Sequence, residues 1–133
     1  MPYKIMMSIV CIVPLIFSLA FVAIPEFFVL QWYPSAEGLA LEIAITHRYD
    51  MAGILFMVVC FAFQSRKVEK VDNQKVILLG AAIAFSAMCA VIISLPLFRG
   101  IPLDIPPMIA TGTIAVLSFW SLSFLVTFEA ELI

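Results

Sequence analysis

The chain has 133 residues, of which 65% are hydrophobic and 12% are charged, and its formal net charge at pH 7 is -2. Soluble domains average roughly 45–50% apolar and about 25% charged residues, so this chain has too few polar groups to coat a water-facing surface. The composition therefore excludes an ordinary soluble domain, and the lack of a basic stripe excludes a nucleic-acid-binding protein. It predicts a single integral membrane domain over residues 1–133.

Four long hydrophobic segments predict an all-α fold with four transmembrane helices packed as a bundle. A helix needs about 20 mostly apolar residues to cross about 30 Å of hydrocarbon. The apolar runs are continuous rather than alternating, and lipid requires the backbone to satisfy its own hydrogen bonds, so strands are excluded. The predicted helices cover about residues 5–28, 45–64, 76–98 and 108–128.

The first predicted helix could be mistaken for a signal peptide. Its basic head is the single Lys4, and its apolar run exceeds the 7–15 residues typical of a signal core. We therefore expect this segment to remain in the protein as a membrane anchor. Pro14 should kink it, because proline removes one backbone donor.

The second predicted helix carries three ionisable residues where it enters the membrane. Its strictly apolar run, "MAGILFMVVCFAF", has 13 residues, so the helix spans only if it includes "THRYD" before it. Arg48 and Asp50 should then lie on its first turns, about 160° apart around the axis. We expect Arg48 to extend to lipid headgroups and the shorter Asp50 to face the bundle or water.

Asp50 has two interpretations that the sequence leaves open. An acid in the first turn of a helix is stabilised by the helix dipole, which would make Asp50 structural. Ionisable groups within membranes are also candidates for ligand, proton or partner sites. His47 is the only histidine, and no ligand spacing connects it to other donors, so we predict no metal site. His47 as an axial ligand of a bound pigment or haem stays open.

Lysines and arginines in the loops predict the orientation of the chain. Four basic residues lie in "SRKVEKVDNQK" between the second and third helices, and Lys4 lies at the N-terminus. Only Arg48 and Arg99 lie on the opposite side. The excess of positive charge predicts that both termini are cytoplasmic, in the inner membrane if the source is bacterial.

The third and fourth helices look like packing surfaces. Residues of the third helix with small side chains fall on one face, which permits close helix approach. The predicted helix-packing face consists of Gly80, Ala84, Ala87 and Ser94. Serines and threonines of the fourth helix should bond across helices or back to their own carbonyls.

The outer end of the predicted bundle is acidic. A cluster of Glu26, Asp50, Arg99 and His47 is geometrically feasible there and is the candidate ligand or partner site. The alternative is a solvated rim of charges. Asp104 lies on the same predicted side.

Several short motifs resemble a broad group of small, uncharacterised bacterial four-helix integral membrane proteins. The motifs are "IPEFF" after the first helix, Arg48 with "MAG", the basic "SRKVEK" and the small-residue "LLGAAIAF". The resemblance covers most of the chain and departs at "HRYD", since the group usually has small apolar residues in place of Asp50. It implies the four-helix fold and no reaction.

Two functions from different classes remain open. No catalytic motif occurs, and Cys11, Cys60 and Cys89 form no C-x-x-C pair, which favours a non-catalytic accessory subunit of a larger membrane complex. In that case the partners are membrane lipids and other membrane protein subunits. The alternative is a binder, transporter or enzyme that handles a lipophilic small molecule around Asp50. No cofactor is predicted, and a bound lipid or pigment stays open.

Overall fold

The computed structural model describes residues 2–100 and 105–130, with side chains for 2–98, 100 and 105–127. All the regular elements in this part of the chain are helices, which confirms the all-α prediction. Four of them are long and apolar enough to cross a membrane. The helices are α1 (Tyr3–Ala23), α2 (Pro25–Trp32), α3 (Gly38–Ser65), α4 (Val71–Arg99) and α5 (Ile105–Ala130).

The first predicted helix, residues 5–28, is divided into α1 and α2. Pro25 has no N–H to bond to the preceding turn, and it disfavours helical geometry at the residue before it. Ile24 accordingly leaves the helical region, with φ -139° and ψ 52°. Pro25 then starts α2, where the missing donor costs nothing because the first turn has unpaired donors anyway.

The second predicted helix begins earlier than expected, at Gly38 instead of near residue 45. Gly38 has a φ of 54°, a left-handed conformation that glycine adopts without steric cost. The 28 residues of α3 correspond to a length of about 42 Å, which exceeds a hydrocarbon layer of about 30 Å. Residues 38–44, which lay outside the predicted helix, are therefore the first part of α3.

The helices α4 and α5 form an antiparallel hairpin. Gly100 ends α4 in the left-handed conformation, with φ 63° and a bond from its N–H to the carbonyl of Pro96 at 3.2 Å. The prolines at positions 106 and 107 lie in the first turn of α5, where they break no helical bond. The thiol of Cys89 donates to the carbonyl of Met108 at 3.8 Å and links the two helices.

The chain divides into two compact units, residues 1–9 with 64–133 and residues 10–63. In the first unit the hydroxyl of Tyr3 donates to the carbonyl of Ser65 at 2.8 Å. Its largest fully buried side chains are Met6, Met7, Leu78 and Ile114.

The second unit is held together by contacts between α1 and α3. Ser18 donates to the carbonyl of Ala52 at 2.9 Å, and the thiol of Cys11 donates to the carbonyl of Val59 at 3.7 Å. Ser18 therefore bonds across helices. The small residue at position 52 lets the two backbones approach closely.

The serines and threonines of α5 bond mainly to their own helix. Thr111, Ser118, Ser123 and Thr127 each donate to a carbonyl three or four residues earlier. The hydroxyls of these four residues are therefore satisfied within α5, without a partner on another helix.

Candidate functional site

Asp50 lies well inside α3, not in its first turn. Asp50 is twelve positions after Gly38, so it is about 18 Å from the N-terminus of the helix. The effect of the helix dipole fades within the first turn. The expectation that Asp50 is stabilised as a helix-start acid is therefore wrong, because the helix begins earlier than the hydropathy indicated.

His47 and Asp50 line one shallow, open depression on the surface of α3. The depression has a volume of about 400 Å³ and combines apolar, acidic and hydroxyl-bearing side chains. Its lining consists of Leu39, Glu42, Ile43, Thr46, His47 and Asp50. All six belong to α3, so none of the lining residues comes from another helix.

Both carboxylates in the depression are exposed and unpaired within the described part of the chain. No hydrogen bond or ion pair joins the carboxylate of Glu42 or Asp50 to a described residue. The hydroxyl of Thr46 donates to the carbonyl of Glu42 at 2.9 Å, so its proton is used within the helix. The two acids are therefore available to a cationic group from outside the chain.

Glu42 and Thr46 were not among the predicted site residues. With Asp50 they recur at every fourth position, a spacing that places three side chains on one helix face. This signal was present in the sequence, but it becomes visible only once residues 38–44 are assigned to the same helix as Asp50.

Arg48 points to α1 and not to lipid headgroups, which corrects the sequence-based expectation. Its guanidinium carbon lies 5.3 Å from the centre of the Phe21 ring, within the range of a cation–π interaction. Arg48 and the buried Ala52 share the face of α3 that packs against α1. Asp50 lies about 160° away around the helix from Arg48 and is exposed.

The structure does not bring all four predicted site residues together. Glu26 is exposed in the first turn of α2 and does not line the depression. The side chain of Arg99 and the whole of Asp104 lie outside the described residues. Among the described residues, no group of three or more histidine, cysteine, aspartate or glutamate side chains is placed to hold a metal ion.

The predicted packing face of α4 is uncovered. Gly80, Ala84 and Ala87 are exposed, and a Cβ atom built on Gly80 meets no atom within 4 Å. Leu78 and Ala82, both 0% exposed, lie about 160° away from Gly80 around the helix. The buried side of α4 is therefore opposite the side that carries its small residues.

The hydroxyl of Ser94 donates to the carbonyl of Val91 at 2.7 Å, so it does not hold the small-residue face to another part of the chain. A second open depression, of about 410 Å³, lies on α5 and is almost entirely apolar. Its lining consists of Met108, Ile109, Gly112, Thr113, Val116 and Leu117. Apolar lining of this kind suits hydrocarbon.

Comparisons of the chain with protein-family models, with curated proteins and with solved structures gave no match. The resemblance to small bacterial four-helix membrane proteins therefore stays a prediction from short motifs. What the sequence and structure together establish is a small helical protein with four candidate membrane-spanning helices, which indicates an integral membrane protein.

Proposed function

We propose that the protein is a non-catalytic accessory subunit of a larger membrane-protein complex. The observation that carries the proposal is the exposed small-residue face of α4, formed by Gly80, Ala84 and Ala87. Such residues allow two helix backbones to approach closely, and close approach is a main source of association energy between helices in lipid. The buried side of α4, with Leu78 and Ala82, lies opposite this face.

The burial of the spans supports the same function. In the most apolar part of α1, 39% is buried. The corresponding shares are only 6% for α3 and 11% for α4. Most of α3 and α4 is thus turned to the surroundings of the chain. Lipid can solvate that surface, and a partner helix can cover the part of it that carries small residues.

The proposed setting is the inner membrane of a bacterium, with both termini in the cytoplasm. The support is the distribution of basic residues, five on the side of the N-terminus and two on the other. An enzymatic role is not part of the proposal. The proposed partners are membrane lipids and other membrane protein subunits.

The test is purification of the tagged full-length protein from its native membrane in a mild detergent. We expect an assembly larger than the single chain, with a constant ratio of subunits across the peak in size-exclusion chromatography. A single chain that elutes alone, under conditions that keep known complexes of that membrane intact, would contradict the proposal.

A second candidate function is binding of a lipophilic small molecule at the depression on α3. Its support is the combination of two unpaired carboxylates, of Glu42 and Asp50, with the apolar Leu39 and Ile43. This chemistry suits a lipophilic cation, because a carboxylate can pair with the charge while the apolar residues contact the rest of the molecule.

For the second candidate we predict that Asp50→Asn weakens binding of tetraphenylphosphonium, a lipophilic cation, by up to about fivefold. The reason is that one carboxylate of the site is lost; this cation has no hydrogen-bond donor, so an exposed carboxylate contributes only an ion-pair attraction of about 0.2–1 kcal/mol. Equilibrium binding to the purified protein measures the effect. Glu37→Gln removes an exposed charge outside the depression and should leave binding unchanged. Equal affinity in all three proteins would remove Asp50 from the site.

A further inference from the structure

The turn between α3 and α4 concentrates basic side chains at the end of two candidate spans. Arg66, Lys67 and Lys70 are exposed, and Lys75 lies half-buried at the start of α4. The spans on either side end at Ser65 and begin at Val71. A turn of five residues between two membrane-spanning helices must lie at the membrane surface, where lipid phosphates are found.

A hydrogen bond adds a basic residue from the N-terminus to this turn. The hydroxyl of Tyr3 donates to the carbonyl of Ser65 at 2.8 Å, and Tyr3 is buried in the same compact unit as the turn. Its neighbour Lys4 is exposed. Lys4 therefore lies at the same end of the unit as Arg66, and we call Lys4, Arg66, Lys67 and Lys70 the basic platform.

The backbone of the turn is held by hydrogen bonds. The N–H of Lys67 bonds to the carbonyl of Gln64 at 3.1 Å, and the N–H of Val68 bonds to that of Ser65 at 3.0 Å. The side-chain amide of Gln74 donates to the carbonyl of Val68 at 2.8 Å. A turn fixed in this way loses little further entropy when it binds a ligand.

We propose that the basic platform binds the headgroups of anionic phospholipids in the bilayer. The turn and Lys4 carry more basic than acidic groups, since only Glu69 and Asp72 oppose them between residues 65 and 75. Clusters of lysine and arginine next to a membrane-spanning helix attract anionic lipid, and this attraction decays with distance over about one Debye length. The partner is a lipid anchored in the membrane, with one net negative charge at its phosphate.

Trp120 offers a built-in probe of the lipids around this unit. It is 59% exposed on α5 and lies ten residues before Ala130, the end of α5 nearest the start of α4. Ten residues correspond to about 15 Å along the helix axis, within reach of the acyl chain of a lipid bound at that end. Trp32→Phe leaves Trp120 as the single tryptophan.

The test reconstitutes the full-length Trp32→Phe protein in vesicles and measures quenching of Trp120 by brominated phosphatidylglycerol and by brominated phosphatidylcholine. We expect phosphatidylglycerol to bind several-fold more tightly at low salt, with the preference shrinking as salt increases. Arg66→Gln combined with Lys70→Gln should lower the preference, by up to about fivefold for each basic group removed, which corresponds to about 1 kcal/mol.

The matched control is Glu69→Gln combined with Asp72→Asn, which removes two negative charges, one in the turn and one in the first turn of α4, and should raise the preference. An unchanged preference in the Arg66→Gln, Lys70→Gln protein, with helix content preserved by circular dichroism, would overturn the proposal. Soluble glycerol phosphate carries the same phosphate ester group as the lipid headgroup. If millimolar glycerol phosphate abolished the preference, the site would bind free phosphate esters and the lipid assignment would be wrong.

Discussion

Replacing Ala84 with leucine should release the protein from its complex while the chain itself stays folded. Ala84 is exposed on the small-residue face of α4, so the larger side chain can extend away from its own chain. In the complex, the leucine would hold the partner helix away from the backbone of α4. Small residues are needed at such contacts because the attraction between helices in lipid depends on close packing.

We expect at least a tenfold loss of co-purified assembly for Ala84→Leu, equivalent to about 1.4 kcal/mol of association free energy. Size-exclusion chromatography in mild detergent measures the shift from the assembly to the single chain. Circular dichroism and the thermal midpoint of the isolated chain should match those of the unmodified protein, because a solvent- or lipid-exposed substitution removes no internal contact.

Ala90→Leu is the matched control. Ala90 is also exposed on α4 and undergoes the same change in volume, but it lies at the edge of the face, about 120° around the helix from Ala84 and about 60° from Ala87. We expect this variant to retain the assembly. Similar losses in both variants would show that any added bulk on α4 disturbs assembly, and similar retention in both would show that the small-residue face is not the contact.

The membrane-spanning character of the chain could be predicted from composition alone, but the ends of its helices could not. Hydropathy measures the transfer of side chains and carries no information on backbone hydrogen bonds. It runs without interruption through Pro25, where the structure ends one helix and begins another. The missing N–H of proline and the restriction on Ile24 decide that break.

The same limitation explains the error at Arg48. Hydropathy drops before Met51, so the sequence placed the start of the helix near residue 45 and the charged residues at its first turns. The helix in fact begins at Gly38, in a segment that is rich in leucine and alanine and favours helix despite its charge. The inward direction of Arg48 depends on the ring of Phe21, which is 27 residues earlier, and no local pattern in the sequence shows such a contact.

The candidate sites were likewise predictable from the sequence only in part. The spacing of Gly80, Ala84 and Ala87 predicted a common face, and helical geometry alone ensures that they share it. That this face lies opposite Leu78 and Ala82 depends on how α4 packs on its neighbours, which periodicity does not give. The depression at Asp50 required knowing that Leu39 and Glu42 continue the same helix.

Replacing Phe21 with alanine should cause the largest loss of stability of any change discussed here. Phe21 is 3% exposed and lies between two other rings, with centroids 5.0 Å from Phe28 and 6.1 Å from Phe17. The guanidinium of Arg48 covers its ring. The substitution therefore removes two aromatic contacts and a cation–π contact, and it leaves a cavity between α1, α2 and α3.

We expect Phe21→Ala to lower the free energy of unfolding by about 2–4 kcal/mol. The range for phenylalanine to alanine in soluble cores is about 3–5 kcal/mol, but part of that value is transfer from water. In a membrane the unfolded reference is itself surrounded by lipid, so the packing terms dominate. Unfolding by sodium dodecyl sulfate in mixed micelles, followed by circular dichroism, measures the change.

Phe27→Ala provides the comparison that separates packing from the mere loss of an aromatic ring. Phe27 is 59% exposed. Among the described side chains, its only contact with another aromatic ring is with Phe28, at 5.6 Å between ring centroids. Its removal leaves no enclosed cavity, so we expect a loss below about 1 kcal/mol. If both variants lost the same stability, Phe21 would not be the centre of the contact between α1, α2 and α3, and the inward position of Arg48 would lose its physical basis.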